Sequence, residues 1–222
     1  MDDFRQRRER MVAEQLQARG IRDSRVLDAM RRVPREAFVR ERAEASAYED
    51  HPLPIDAGQT ISQPYIVALT LEAAELGEND TVLDVGTGSG YAAAVAAELA
   101  HSVVSIERHA ELAESAAAVL GRLGYDNVTV VVGDGTNGYP PAAPYDAIVA
   151  AAAAPEIPSP WADQLADGGR IIMPIGEPRF GQMLTRAIRG HDGRLQLEQL
   201  CAVTFVPLIG DHGVHEHPTE EE

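Results

Sequence analysis

The chain has 222 residues, 45% of them apolar, which suits one cored domain and excludes wholesale disorder. Its formal net charge is −16, from 19 basic residues, all arginine, against 35 acidic ones, and so acidic a body repels phosphate backbones and argues against nucleic-acid partners. No run reaches the roughly 18 uncharged apolar residues that span a bilayer, residues 1–5 show no apolar signal stretch, and the single cysteine, Cys201, excludes an internal disulfide, so a cytoplasmic protein off the membrane is expected.

Charge is unevenly placed. Residues 1–42 hold 12 arginines against 8 acids, and residues 43–222 hold 7 against 27. The arginine-rich start reads as a surface helix facing the acidic body, with an RNA-binding arm as the other reading. Abundant acids without lysine suit a salty cytoplasm or a biased genome. Phe4, Met11, Val12 and Leu16 lie near one stripe of a helix predicted over 4–19 and stopped by Gly20. Ser24 can cap a second helix over 25–32, which must end near Val33-Pro34. A short helix over 41–50 precedes His51-Pro52-Leu53-Pro54. Residues 1–60 are thus expected to form an N-terminal helical cap within the same domain. The polar loop Gly58-Gln59-Thr60-Ile61-Ser62-Gln63 then leads into a helix over 64–76, with Pro64 comfortable in its first turn.

From Thr81 onward strands and helices alternate. Strands are predicted over 81–85, 102–106, 128–132, 145–150 and 170–174, with helices over 91–99 and 109–123. Uniformly apolar strands separated by helices imply an α/β fold, a doubly wound, mostly parallel sheet covered on both faces. Strands over 183–189 and 199–206, linked through Gly190-His191-Asp192-Gly193, predict an antiparallel hairpin at the sheet edge. Residues 61–210 form the core on this reading, and 211–222 a disordered acidic tail.

The sharpest local signal is Val82-Leu83-Asp84-Val85-Gly86-Thr87-Gly88-Ser89-Gly90. Glycines let the chain turn tightly after a strand and bring N–H groups near a ligand, at the end of the strands where doubly wound sheets bind nucleotides. Glu107 follows the second strand and can accept both hydrogen bonds of a ribose diol. Asp134 follows the third and can accept from an adenine amino group. Dinucleotide sites favour G-x-G-x-x-G, whereas this turn is G-x-G-x-G with an acid, Asp84, inside the strand end. That carboxylate opposes a pyrophosphate and suits S-adenosylmethionine, which carries an ammonium and a sulfonium.

These residues resemble the class I S-adenosylmethionine-dependent methyltransferases. From about residue 8 to 209 the chain is similar to the protein-L-isoaspartate O-methyltransferase family. The stretches that carry the likeness are Gly58-Gln59-Thr60-Ile61-Ser62-Gln63-Pro64, Leu83 to Tyr91, Val132-Gly133-Asp134-Gly135, Ala152-Ala153-Ala154-Pro155-Glu156-Ile157-Pro158, Pro174-Ile175-Gly176 and Phe205-Val206-Pro207-Leu208. The glycine turn marks the superfamily; the Thr-Ile-Ser-Gln-Pro and Ala-Ala-Ala-Pro-Glu-Ile-Pro segments are specific to the family.

The resemblance implies a Rossmann-like fold and a repair enzyme that methylates the free α-carboxyl of L-isoaspartyl residues in damaged proteins and peptides. It implies S-adenosyl-L-methionine as cofactor and Ser62 as the catalytic hydroxyl residue, in contact with substrate. Thr60, Ile61, Asp84, Gly86, Thr87, Gly88, Glu107, Asp134 and Gly135 are implied as cofactor-binding. Val206, Pro207 and Leu208 are implied to bind substrate backbone. A monomer is expected. Asp56-Ala57 departs from the small Gly-containing pair common before Gly58. Thr204 stands where arginine often precedes Phe-Val-Pro-Leu, which bears on peptide preference rather than chemistry.

Methyl transfer to a carboxylate needs no strong base, because the acceptor, with a pKa of about 4, is already ionised at pH 7. The tasks left are near-attack geometry and exclusion of water. Ser62 can orient the carboxylate without acting as nucleophile; a plain helix cap before Pro64 is its other reading. In family chemistry the methyl ester then closes to a succinimide, whose hydrolysis returns some normal aspartyl linkage. His212, His215 and His217 are expected to have only adventitious metal affinity, so no metal site is expected. Cys201 reads as core, and Trp161 as a packing anchor or a border of the peptide groove. The small side chains of Ala150–Ala154 leave room for substrate or allow close packing. Two competing functions are a biosynthetic methyltransferase acting on aspartate of a dedicated precursor peptide and a non-catalytic S-adenosylmethionine-binding module.

Overall fold

A computed structural model describes residues 3–177 and 180–215. The chain opens with one helical run in three pitches: α1 (Phe4–Arg10), a π-helical stretch over Met11–Leu16 and a 3-10 turn over Gln17–Arg19. Gly20 ends it at φ +103°, a conformation that favours glycine. Met11, Val12 and Leu16 are buried, so the apolar stripe faces inward as expected. Helix α2 (Ser24–Arg32) is capped by Asp23, whose carboxylate accepts the Arg25 N–H at 2.8 Å; Ser24, the expected cap, is already helical. Both residue types can cap, and the one with extended backbone does so. The helix expected over 41–50 is a 3-10 turn over Glu41–Ser46.

Two short strands, β1 (Leu53–Pro54) and β2 (Thr60–Ile61), pair antiparallel and pin the loop between them. Helix α3 (Pro64–Ala74) begins directly after Ser62-Gln63. The main sheet then forms from β3 (Thr81–Val85), β4 (Ser102–Glu107), β5 (Val128–Val132), β6 (Tyr145–Ala150), β7 (Leu165–Glu177), β8 (Gly181–Arg189) and β9 (Leu195–Val203), in the order β5-β4-β3-β6-β7-β8-β9. Strands β3 to β7 run parallel, while β8 and β9 add antiparallel at one edge. Helices α4 (Tyr91–Ala97), α5 (Ala110–Leu123) and α6 (Ser159–Gln164) complete the crossovers.

The expected doubly wound sheet with an antiparallel edge hairpin is therefore present. Strand β7 is longer than the 170–174 read from sequence. Strand β9 begins at Leu195 and stops at Val203 rather than running over 199–206. It stops because the chain turns away to meet other partners, described below, and Pro207 has no N–H for a ladder.

Successive strand residues point to opposite faces. Val82 and Val103 join one core with Met11, Leu16, Met30, Val67, Leu71 and Val95, so the N-terminal segment and α3 are built onto this face. Leu83, Val85, Val104 and Ile106 join the other with Ile148, Met173 and the fully buried Trp161. The sheet order reverses between β3 and β6: the chain leaves β3 for α4, which packs on the first face, and leaves β6 for α6, whose Trp161 packs on the second. A doubly wound sheet forms its ligand crevice at such a switch point.

Candidate active site

A cavity of about 940 Å³ lies beyond the carboxyl ends of β3 to β6. Its floor is Val85, Gly86 and Gly88 after β3, Glu107 to His109 after β4, Gly135 after β5, and Ala151-Ala152 after β6. Gln59, Thr60, Ser62 and Gln63 face it from the N-terminal side, and residues 202–209 from the edge hairpin. Of the residues implied by the resemblance, it brings together Thr60, Ser62, Gly86, Gly88, Glu107, Gly135, Val206, Pro207 and Leu208. Ile61, Asp84, Thr87 and Asp134 do not line it.

The turn after β3 is made by glycine at Gly86, Gly88 and Gly90, with φ of +90°, +53° and +87°. A side chain at Gly90 would meet Ala116 Cβ at 3.2 Å, so the third glycine serves helix packing, not the ligand. Glu107 is only 5% exposed and braces the turn: its Oε2 accepts the Gly88 N–H at 2.9 Å, and its Oε1 accepts the His109 N–H at 3.0 Å. Each oxygen can accept a second bond, which leaves capacity for a vicinal diol.

Asp84 points to the α3 face of the sheet. It is fully buried and lines a small pocket of about 30 Å³ together with Ile66, Thr70 and Ala92. Ser62 and Phe205 border both this pocket and the main cavity, so they stand between the two. The Ser105 hydroxyl donates to Asp84 Oδ2 at 2.6 Å. Its single proton is thereby committed, so the Thr87 hydroxyl, 2.6 Å from Ser105 Oγ, is the donor in the next bond. Thr87 thus supports Asp84 through Ser105 rather than touching the cavity. Burial pushes the Asp84 carboxyl up to about 7, the Ser105 bond opposing and the Glu107 charge adding to the rise.

Gly135 lines the cavity because nothing larger fits: a Cβ there would lie 2.5 Å from Val85 Cγ1. Its carbonyl accepts the Trp161 indole N–H at 2.9 Å, which makes Trp161 a buried anchor of this wall rather than a border of the groove. Asp134 is turned away. Its Oδ1 accepts the N–H and hydroxyl of Thr136 at 2.8 and 2.7 Å; its Oδ2 accepts the Asp211 N–H at 2.8 Å and the Asn137 amide at 3.2 Å. These four bonds fill its acceptor positions. Burial opposes ionisation of Asp134, but the Asp211 and Thr136 bonds outweigh it and hold the carboxyl below the usual range.

The segment after Pro207 therefore does not begin a loose tail. Asp211 binds Asp134, and the His212 N–H donates to Thr136 Oγ1 at 3.1 Å. The approach is close enough that a Cβ at Gly210 would overlap the Asp134 carboxylate. Residues 216–222, with His217 and most of the expected tail, lie outside the described residues.

Sequence reading missed three residues of the site. Phe205 faces Ser62 across the small pocket. Gln182, 3% exposed, holds Phe205 by both backbone groups: Oε1 accepts its N–H at 2.6 Å and Nε2 donates to its carbonyl at 3.1 Å. The Ala153 N–H then donates to Val206 O at 2.8 Å and the Leu208 N–H to Ala153 O at 2.7 Å, seating the Phe-Val-Pro-Leu segment on the alanine loop. Arg35, fully buried, donates from Nη2 to the Ser62 carbonyl at 2.8 Å. A long polar side chain among apolar neighbours, as at Gln182 and Arg35, is the only signal the sequence offers for either. Cys201 is half-buried in β9 rather than deep in the core.

A family model described as Protein-L-isoaspartate(D-aspartate) O-methyltransferase matches residues 6–213. Protein-L-isoaspartate O-methyltransferase 2 of Pelobacter propionicus is 57% identical over 207 residues, covering 93% of this chain and 92% of that protein. The protein-L-isoaspartate O-methyltransferase of Methanoculleus marisnigri is 55% identical over 212 residues, 96% of each. A solved protein-L-isoaspartate O-methyltransferase superposes with a TM-score of 0.84 at 32% identity, over 93% of this chain and 67% of that one. A Plasmodium falciparum structure described as a member of the same enzyme group, in complex with S-adenosyl-L-homocysteine, superposes with a TM-score of 0.78 at 28% identity, over 91% of this chain and 98% of that one.

Proposed function

Because the chain belongs to the protein-L-isoaspartate(D-aspartate) O-methyltransferase family, we propose that the cavity beyond β3 to β6 is where it carries out that family's reaction. The enzyme moves a methyl group from S-adenosyl-L-methionine to the free α-carboxyl of L-isoaspartyl residues in proteins and peptides, the step that leads through a succinimide back to aspartyl. The observation that carries the placement is Glu107: a buried carboxylate that braces the glycine turn and keeps acceptor capacity toward the cavity.

The residues present fit the cofactor. Glu107 would take the ribose diol, Gly86 and Gly88 would let it approach the turn, and Gly135 would form the wall at the adenine. Thr60 would close over it from the opposite side. Asp84 would contribute negative charge from beneath, with Thr87 and Ser105 supporting it, and Ile61 would fix Thr60 and Ser62 through its buried place in β2. Asp134 serves as a brace for the Gly135 wall, since its own acceptor positions are filled. When bound, the cofactor supplies an electrophilic methyl on a sulfonium.

The chain's own work is positional. Ser62 donates to the acceptor carboxylate and turns one oxygen toward the methyl. Phe205 excludes water beside it, and Val206, Pro207 and Leu208 meet the peptide backbone. No residue has to remove a proton, because the acceptor is ionised at neutral pH. Orientation and dryness are enough for an in-line displacement with a neutral leaving group.

We further propose that the enzyme works as a cytoplasmic monomer without nucleic-acid or membrane partners. Its net charge of −16 supports this reading, and among the described residues no helix is long and apolar enough to cross a membrane. The experiment that tests the function uses two peptides differing only in Asp against isoAsp, with methyl-labelled cofactor. Label in the isoAsp peptide alone, released as methanol by base, is the expected result. Label in neither peptide, or in the Asp peptide, contradicts it.

A further inference from the structure

Among the described residues Arg35 is the one basic side chain in the fully buried interior, and it has no carboxylate partner there. Its Nε donates to the Ala47 carbonyl at 2.7 Å and its Nη2 to the Ser62 carbonyl at 2.8 Å. Its Nη1 is buried with no hydrogen-bond partner. The guanidinium lies over the Tyr91 ring, 4.8 Å from its centroid. Burying a cation without a counter-ion is costly. Apolar contacts alone would be satisfied more cheaply by leucine or methionine, so the cost points to a task for the guanidinium.

The three contacts show what that task is. Ala47 belongs to the N-terminal segment. Tyr91 is the first residue of α4, directly after the glycine turn. Ser62 lies between the short β1–β2 ladder and the start of α3, outside the hydrogen bonds of either element. Ser62 borders the cavity, and its carbonyl is held by Arg35. A carbonyl held from behind fixes the peptide plane and hence the direction of the side chain in front. The same side chain rests on Tyr91, so it sets Ser62 relative to the turn that holds the cofactor.

We propose that Arg35 is the positioning residue of the methyl-acceptor side, holding the Ser62 main chain so that its hydroxyl faces the acceptor carboxylate. The inference rests on the reading of Ser62 given above. It acts through Ser62 and does not touch substrate.

A double-mutant cycle tests this, with kcat and KM measured on an isoAsp peptide and the affinity for S-adenosylhomocysteine measured by calorimetry. Arg35→Lys keeps the charge but reaches one acceptor and lacks the planar fork. It is expected to lower kcat about tenfold, the scale of a small misplacement near the reacting atoms, with cofactor affinity unchanged within about twofold. Adding Arg35→Lys to Ser62→Ala is expected to cost less than about twofold more, because residues acting as one unit are not additive. An unchanged kcat in Arg35→Lys, or the same tenfold loss in both backgrounds, overturns the proposal. If Arg35→Lys does not fold, Arg35→Gln takes its place; failure of both to fold makes Arg35 a folding residue and also overturns it. A Ser62→Ala enzyme with full activity removes the reading of Ser62, and a wild type inactive on isoAsp peptide removes the function, so each failure is told apart.

Discussion

The backbone N–H of Gly88 donates to the carboxylate of Glu107 at 2.9 Å, tying the turn after β3 to the end of β4. Two strands that diverge in sequence are thereby locked where a nucleotide would bridge them. Glu107 is both brace and ligand on this account. Glu107→Gln should keep part of the brace through its amide oxygen, while Glu107→Ala removes both functions. S-adenosylhomocysteine affinity is expected to fall roughly tenfold in the first and a hundredfold in the second, the scale of one or two lost charged hydrogen bonds. Calorimetric titration checks this, and unchanged affinity in Glu107→Ala contradicts the ribose assignment.

Asp84 should leave a mark on stability against pH. Its carboxyl is raised by burial to about 7. A raised acid binds more protons folded than unfolded, so the folded state is favoured most below the unfolded value near 4 and loses stability as pH rises toward 7. Asp84→Asn removes that loss. The variant's Tm relative to wild type is expected to climb by a few degrees between pH 5 and pH 8. Thermal unfolding at four pH values measures it, and a constant difference across the range contradicts the assignment.

Trp161→Phe should weaken the Gly135 wall. The substitution keeps most of the buried ring but leaves the Gly135 carbonyl without the indole N–H. The carbonyl keeps the Gly138 N–H, which donates to it at 2.9 Å, so one of its two bonds is lost, at a cost of about 0.5–1.5 kcal/mol, a few degrees in Tm. Differential scanning calorimetry should show that loss together with weaker cofactor binding. A variant as stable as wild type would show that the Gly138 N–H alone satisfies the carbonyl.

Asp134→Ala should release the segment that follows the Phe-Val-Pro-Leu stretch. Amide exchange at Asp211 and Thr136, both donors to the lost carboxylate, is expected to speed up about tenfold or more, while exchange in β3 stays unchanged. Mass-spectrometric hydrogen exchange resolves these peptides. Unaltered protection at Asp211 would mean that the turn stands without Asp134.

How far sequence reaches is visible in these same residues. Strands β3 to β6 were legible because each is a short apolar run between helix signals, and the glycine turn because its spacing after a strand is local. The bounds of β7 and β9 were not, since Gly168-Gly169 reads as a break and the polar residues of β9 hide a strand at a sheet edge. Asp134 was legible as a polar residue after a strand, but which groups fill its oxygens depends on Asp211, far along the chain. Likewise, nothing near Arg35 in sequence announces Ser62 or Tyr91. Local pattern gives elements and turns; the partners of a buried polar group come only from the packed structure.

The most direct measurement is a crystal structure of the protein with S-adenosyl-L-homocysteine. The account expects the ribose hydroxyls on the Glu107 carboxylate, the adenine against Gly135 and the sulfur facing the Ser62 hydroxyl. A ribose seated away from Glu107, or a sulfur remote from Ser62, would contradict it.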